Sequence, residues 1–323
     1  MDPSWLIQAP YLLAPESETT PGDPLIDRRM FLAGTGAMLL AAPLAAEAQQ
    51  AELGLEEAKQ VILHLRDCKG DLKAAEQAAG DLEREKVDLI YAVGSSVTLA
   101  VKRATKTIPI VFYAGSDPVA LGLVESFRKP GGRFTGIYSG FTDLTAKRLE
   151  LLKEMLPRLR RVVMFYNPDN PVAERGMKAA REAVRQLKVE LVEHRVGSVE
   201  ELRAGLRALL AGEADAFLSA LDGMVVSQTA LIIETARAKK LPAMFSQQES
   251  VVQGGLASYG VSYSALGRLS ARYVQRILLG ANPGELPVEQ VDRLYFVINL
   301  KTAKALGLTI PPSLLLRADE VIQ

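Results

Sequence analysis

Polar residues follow one apolar run after another in this chain, and their types suit the capture of a small charged solute better than bond-making chemistry. Gly94-Ser95-Ser96 comes directly after a run ending at Val93 and opens a helical pattern. The free N–H groups of a helix start, with two hydroxyls beside them, suit an anion such as a carboxylate. Serines at that place also cap helices with no ligand present. Gly115-Ser116-Asp117-Pro118 follows the next run. Asp117 has the place of a helix cap, with Pro118 at the first helical position, and its charge also fits a ligand ammonium. Asn167-Pro168-Asp169-Asn170-Pro171, Leu221-Asp222-Gly223 and Gln247-Gln248-Glu249 repeat the arrangement further along. Amides in such turns donate and accept. Each stretch alone is weak; together they put polar groups after successive strands in both halves, where they would converge on one cleft.

Enzyme signatures are missing from the same places. There is no G-x-x-x-x-G-K loop and no G-x-S-x-G elbow. His64 falls inside a strand candidate and is expected to be packed or at an edge. His194 alternates outward with Glu190 in "VELVEHRV" and is expected to be solvated. Cys68 follows a strand with no base in view. No catalytic residue is therefore assigned and no enzyme is expected; a secreted α/β enzyme using the same cleft is the alternative class. Two histidines and one cysteine make a built-in metal site unlikely and allow no internal disulfide. No metal and no cofactor are expected.

The elements that must position these residues are regular. Strand candidates are 61–65, 87–93, 108–113, 134–139, 161–166, 189–196, 216–220, 243–246, 256–259 and 294–299. Runs such as "IPIVFYA" and "VVMFY" are continuously apolar, the mark of strands covered on both faces. Between them, Ala173, Met177, Ala180, Val184 and Leu187 step by four and three along one helical stripe. Ser198-Val199-Glu200-Glu201 reads as a capping box, and Asp71 and Asp143 as helix caps. Strand–helix–strand units repeated this often mean an α/β protein with parallel sheets. Some ten strands are near the limit for one open twisted sheet, so two doubly wound lobes joined by a hinge are expected. "PGGRFTG" (130–136) and "QGGLASYG" (253–260) are the expected crossings between them.

The front of the chain carries a different kind of signal. In "DRRMFLAGTGAMLLAAPLAAEAQQ" (27–50), Arg28-Arg29 precedes an apolar run from Met30 to Leu44, and Ala46-Glu47-Ala48 closes it. The run is too short for a spanning helix, which needs about 20 residues. Arginines, apolar run and small-x-small end together read as an export signal, 27–48, resembling the twin-arginine type and cleaved near Ala48, with the periplasm as destination. No cysteine follows it, so no lipid anchor is expected. Residues 1–26 show no periodicity and read as a start-site artefact or disordered stretch. Lys+Arg and Asp+Glu balance at 38 each with no like-charge block, which argues against nucleic acid as a partner.

Several stretches are familiar in combination: "ATKTIPIVFYAGSDPVALGLVESFRKPGGRFTG" (104–136), "KRLELLKEMLPRLRRVVMFYNPDNP" (147–171), "GGLASYG" (254–260) and "LPVEQVDRLYFVINLKTAKALGLTIPPSLLLRADEVI" (286–322). The chain resembles the substrate-binding proteins of ABC transporters, in the group related to tryptophan/tyrosine-binding lipoproteins. The resemblance implies a type I periplasmic binding fold with a hinge of three crossings, a small-molecule ligand closed between the lobes, and delivery to an ABC permease in the membrane. It implies lobe 1 over 49–140 and 264–292, and lobe 2 over 141–263 and 293–323. It implies Ser95 and Ser96 for an anionic group, and Asp117 and Asp222 for a cationic or hydroxyl group. Asn167, Asn170 and Tyr259 would line the cleft. The ligand class it suggests is an amino acid or similar carboxylate.

One departure stands out. Such chains begin with a strand, a ligand loop and a full helix, whereas here Gln49-Gln50 is followed at once by "AELGLEEAKQ". The first strand of lobe 1 is expected to be missing. Its absence would leave buried backbone groups unpaired at about 1–3 kcal/mol each, against a net stability of about 5–15 kcal/mol. A degenerate relative that no longer binds is the second alternative.

Overall fold

Two parallel sheets account for the alternation of β-branched runs and amphipathic stretches. The computed structural model describes residues 29–34, 62–139, 144–210, 212–291 and 293–323. The first sheet holds β1 (Arg29–Gly34), β2 (Ile62–Asp67), β3 (Leu89–Val93), β4 (Ile110–Ala114), β5 (Phe134–Tyr138) and β11 (Glu289–Gln290). Their spatial order is β2-β1-β3-β4-β5-β11, all parallel. The second sheet holds β6 (Arg161–Tyr166), β7 (Glu190–Arg195), β8 (Ala216–Leu218), β9 (Ala243–Phe245), β10 (Ala257–Gly260), β12 (Tyr295–Asn299) and β13 (Glu320–Ile322). Its order is β7-β6-β8-β9-β10-β12-β13, parallel except for the antiparallel β10–β12 pair. This is the α/β, doubly wound, two-lobed class expected from the pattern of runs.

The missing strand is a correction. Arg29–Gly34 runs parallel to β2 over Ile62–Asp67 on one side and to β3 over Leu89–Ala92 on the other. The position expected to be empty is filled by six residues of the arginine-led segment. The physical reason is the gap itself: it would leave facing rows of N–H and C=O groups unpaired on β2 and β3, and an extended apolar run closes both rows. Residues 29–34 thus belong to the first sheet, and the stability argument for a collapsed lobe loses its premise. Residues 1–26, the rest of the export-signal pattern, the segment "AELGLEEAKQ" and Asp143 lie outside the described residues.

Helices cover both faces. On the first sheet these are α1 (Leu72–Glu85) and α2 (Ser95–Ala104). In the second half come α3 (Leu144–Met155), α4 (Pro171–Leu187), α5 (Val199–Ala208), α6 (Gly223–Ser227), α7 (Thr229–Ala238) and α8 (Gln248–Val252). Then α9 (Tyr263–Leu278) returns to the first sheet, where Leu266, Tyr273 and Val274 pack on Leu89, Val111 and Ile137. The α4 stripe buries Ala173, Met177, Ala180 and Val184 in the core of the second lobe. Asp71 caps α1 through Lys73 N at 2.8 Å and Ala74 N at 3.2 Å. In the capping box, Ser198 Oγ accepts from Glu201 N at 3.1 Å, but Glu201 reaches one residue further back than expected, to Gly197 N at 2.7 Å.

Among the described residues the chain passes from one sheet to the other after β5, between β10 and α9, and between β11 and β12. The glycine-rich stretches 130–136 and 253–260 lead into β5 and β10 rather than crossing themselves. Their glycines serve close packing. A Cβ at Gly136 would meet Phe112 O at 2.1 Å, and one at Gly260 would meet Ser246 O at 2.0 Å. His194 also departs from expectation. It stacks on Phe165 at 4.5 Å, and its Nε2 lies 3.0 Å from Glu213 Oε1, because helices cover one face of the edge strand β7.

Candidate functional site

The carboxyl ends of both sheets face one another across a cavity of about 100 Å³. Strand ends supply its polar wall, because a parallel sheet turns each following loop to the same side. From the first sheet come Ser95, Ser96, Tyr113 and Ser116; from the second come Asn170, Asp222, Ser246 and Gln247. Leu72, Val172, Leu221 and Val226 supply apolar wall, and Tyr263 stands at the hinge.

The lobes touch here. Ser96 Oγ donates to Asn170 Oδ1 at 2.8 Å, and Ser227 Oγ lies 3.1 Å from Lys69 O, with Met224 O nearer at 2.7 Å sharing its one hydrogen. Gly70 meets Gly223 and Met224 so closely that a Cβ would sit 2.3 Å from Met224 backbone. Behind the Ser96 bond lies a connected set. Asn170 caps α4 through Val172 N at 3.1 Å, and its Nδ2 donates to Asp222 Oδ2 at 3.4 Å. Asp222 caps α6: Oδ1 accepts from Met224 N at 2.8 Å and Val225 N at 3.3 Å, and Oδ2 accepts from Asn167 N at 3.0 Å. Asp222 is 1% exposed. Burial pushes its carboxyl above the ordinary value, while these hydrogen bonds pull the other way. Ser95 Oγ accepts from Ser116 N at 3.1 Å, which ties two successive loops of the first lobe.

Four of the residues expected from sequence thus border one cavity: Ser95, Ser96, Asn170 and Asp222. The other three stand elsewhere. Asp117 is exposed and caps the turn after β4 through Val119 N at 2.8 Å and Ala120 N at 3.1 Å. Asn167 sits behind Asp222, its Oδ1 accepting from Asp169 N at 2.9 Å. The Tyr259 ring meets Phe296 edge-on at 6.3 Å against the second lobe's core, while its carbonyl holds a guanidinium.

That guanidinium belongs to Arg148, which sequence reasoning passed over. Arg148 is on α3, 2% exposed, and its Nε donates to Tyr259 O at 2.7 Å. Nη1 has no hydrogen-bond partner among the described residues. Burial lowers its pKa to about 10, still charged at neutral pH. Around it stand Tyr113, whose hydroxyl lies 3.1 Å from Ser139 Oγ, and Tyr263, which meets Tyr113 edge-on at 5.8 Å. Gln247 Nε2 donates to the Tyr263 hydroxyl at 3.3 Å. Burial raises both tyrosines above their ordinary values, so they stay neutral. A signal for Arg148 exists in the sequence: Arg148, Leu152 and Met155 share one helical stripe, and a cation on an apolar stripe asks for a partner.

Known proteins share this architecture. The family model described as ABC transporter substrate binding protein matches residues 46–322. A tyrosine-binding protein of Clostridioides difficile (strain R20291) is 29% identical over 79% of this chain and 73% of its own length. Among solved structures, a conserved domain protein from Vibrio cholerae has a TM-score of 0.80 at 28% identity, covering 91% of this chain and 99% of that one. An ABC domain from Streptococcus pneumonia in complex with L-Trp has a TM-score of 0.78 at 23% identity, covering 92% and 100%. A ligand-free, open substrate-binding protein from Clostridium difficile scores 0.58 at 25% identity, covering 92% and 99%. The chain belongs to the ABC transporter substrate-binding protein family.

Proposed function

We propose that this chain is the solute-binding component of an ABC importer, that it takes an aromatic amino acid into the cleft between its lobes, and that it hands this ligand to a membrane permease. The observation that carries the reading is the Ser96–Asn170–Asp222 set, which joins the lobes over a cavity with a buried carboxylate in its wall. Asp222, its oxygens held by four N–H groups, favours the ligand ammonium through its buried charge, and Ser95, Ser96 and Asn170 form the polar frame that closes over it. The rings of Tyr113 and Tyr263, with Leu72 and Val226, suit an aromatic side chain. The tyrosine-binding relative supports that class of ligand. Because the ligand touches both lobes, it favours the closed form, and the closed form is what a permease can recognise.

The protein acts outside the cytoplasm, with the arginine-led segment as its address. Arg29–Gly34 is retained after transport, because a cut after Ala48 would take a central strand out of the first sheet.

Thermal unfolding of the whole chain with a panel of L-amino acids tests the ligand. A solute at a hundred times its Kd stabilises the folded state by about 2.7 kcal/mol. Tyrosine and tryptophan are expected to raise the midpoint, and glycine, glutamate and lysine to leave it unchanged. A midpoint indifferent to every aromatic amino acid contradicts the reading.

A further inference from the structure

Arg148 is a buried cation without a counter-ion among the described residues. Its Nε is spent on the Tyr259 carbonyl, its Nη1 has no partner among the described residues, and tyrosines rather than carboxylates surround it. Fold stability does not account for such a group, since an apolar residue of similar volume fills a core at no greater cost than an unpaired charge. Arg148 borders a small cavity of about 30 Å³, also lined by Ser139, Leu144 and Val261. This cavity shares Tyr113, Gly115, Leu221, Ser246 and Tyr263 with the main cleft, so the two adjoin. By the same measure one water needs about 10–15 Å³, so the space takes two to three oxygen-sized groups. The two oxygens of a carboxylate fit this space.

The helix start at Ser95 and Ser96 is a weaker place for that anion. Ser96 Oγ has given its hydrogen to Asn170, and Ser95 Oγ, which accepts from Ser116 N, has one hydrogen left and no formal charge to set against an anion. Leu221 borders both cavities and precedes Asp222, which places the buried anion close to the cation's chamber.

We propose that Arg148, with the hydroxyls of Tyr113 and Ser246, is the carboxylate subsite of the cleft, and that the solute is a zwitterion spanning Arg148 and Asp222. This rests on the cleft being the ligand site, and it specifies the ligand's charge pattern rather than its ring. A ligand with an ammonium and no carboxylate leaves Nη1 unpaired. A ligand with a carboxylate and no ammonium still satisfies it.

The test uses the whole chain with four probes: L-tyrosine, L-tyrosinamide, tyramine and 4-hydroxyphenylacetate. The wild type is expected to bind L-tyrosine about 10- to 150-fold more tightly than L-tyrosinamide or tyramine, the worth of a hydrogen-bonded charge. In Arg148→Met that preference collapses while tyramine binding is unchanged, and Arg148→Lys restores part of it. 4-Hydroxyphenylacetate raises the unfolding midpoint of the wild type and not of Arg148→Met. The wild-type comparison needs no variant and stands if Arg148→Met does not fold. Equal weakening of L-tyrosine and tyramine in Arg148→Met, no preference for the carboxylate in the wild type, or equal binding of 4-hydroxyphenylacetate with and without Arg148 overturns the assignment. If 4-hydroxyphenylacetate binds through Arg148 but no amino acid binds, the carboxylate subsite stands and the amino-acid reading falls.

Discussion

Removing residues 1–48 should unfold the first lobe. The perturbation takes out β1, which pairs with β2 over Arg29–Gly34 and with β3 over Met30–Ala33. A parallel ladder makes about one hydrogen bond per paired residue, so these registers represent about ten bonds. At a net worth of about 0.5–1.5 kcal/mol each, the loss is about 5–15 kcal/mol, the size of a whole domain's stability. The two facing edges left behind would be templates for association with other chains. The assay compares chains 27–323 and 49–323 by far-UV circular dichroism during heating and by hydrogen exchange. The longer chain is expected to melt cooperatively, with β3 and β4 among its slowest-exchanging amides. The shorter chain should protect only the second-sheet amides and should self-associate. Equal midpoints and equal protection of β3 in both chains would refute the reasoning. Mass spectrometry of the exported protein gives an independent check: its first residue should precede Arg29, and a folded product starting at Gln49 would show that β1 is dispensable.

Three further predictions concern the cleft and hinge. Ser96→Ala removes the lobe-to-lobe bond to Asn170 and should weaken ligand binding about 2- to 10-fold, the worth of one hydrogen bond, with little change in unfolding midpoint; small-angle scattering should show a more open ligand-free molecule. Gly260→Ala puts a Cβ 2.0 Å from Ser246 O and should cost about 1–3 kcal/mol of stability, read as a lower denaturation midpoint. Burial raises the Glu249 carboxyl above its ordinary 4.5, and its Oε2 has no partner among the described residues. Its folded form therefore binds the proton more tightly than its unfolded form does, and its contribution, full below pH 4.5, is lost as pH rises through the folded value. Glu249→Gln should raise the midpoint at pH 7 and flatten its fall between pH 4.5 and neutrality; a lower midpoint at pH 7 would contradict this.

Much of the fold was legible because burial on both faces makes a parallel strand a continuous apolar run. Arg161–Tyr166 was readable to the residue. The two-residue β11 and the exposed end of β13 carry no such run, and both went unread. The strand at 29–34 went unread for a different reason. An apolar run behind two arginines satisfies the grammar of an export signal and the needs of a buried strand equally, and local sequence does not distinguish them. Within the cleft, the loops after the strands were legible from Gly, Asn, Asp and Ser clusters, which is how Ser95, Ser96, Asn170 and Asp222 came to notice. Asp117 has the same local signature, yet it points away, because only the path of its turn separates a solvent-facing cap from a cleft-facing one. Arg148 went unnoticed because reading followed strand ends, and this residue reaches the site from the middle of a helix stripe.

The central claim is that the inter-lobe cleft holds an amino-acid zwitterion with an aromatic side chain. Isothermal titration of the whole chain with L-tyrosine and L-tryptophan, repeated with Asp222→Asn, tests it most directly. The account predicts one site per chain for at least one of the two, weakened about 10-fold or more by Asp222→Asn through the lost charge on the ammonium. No binding of either amino acid, or equal affinity in the wild type and Asp222→Asn, would contradict it.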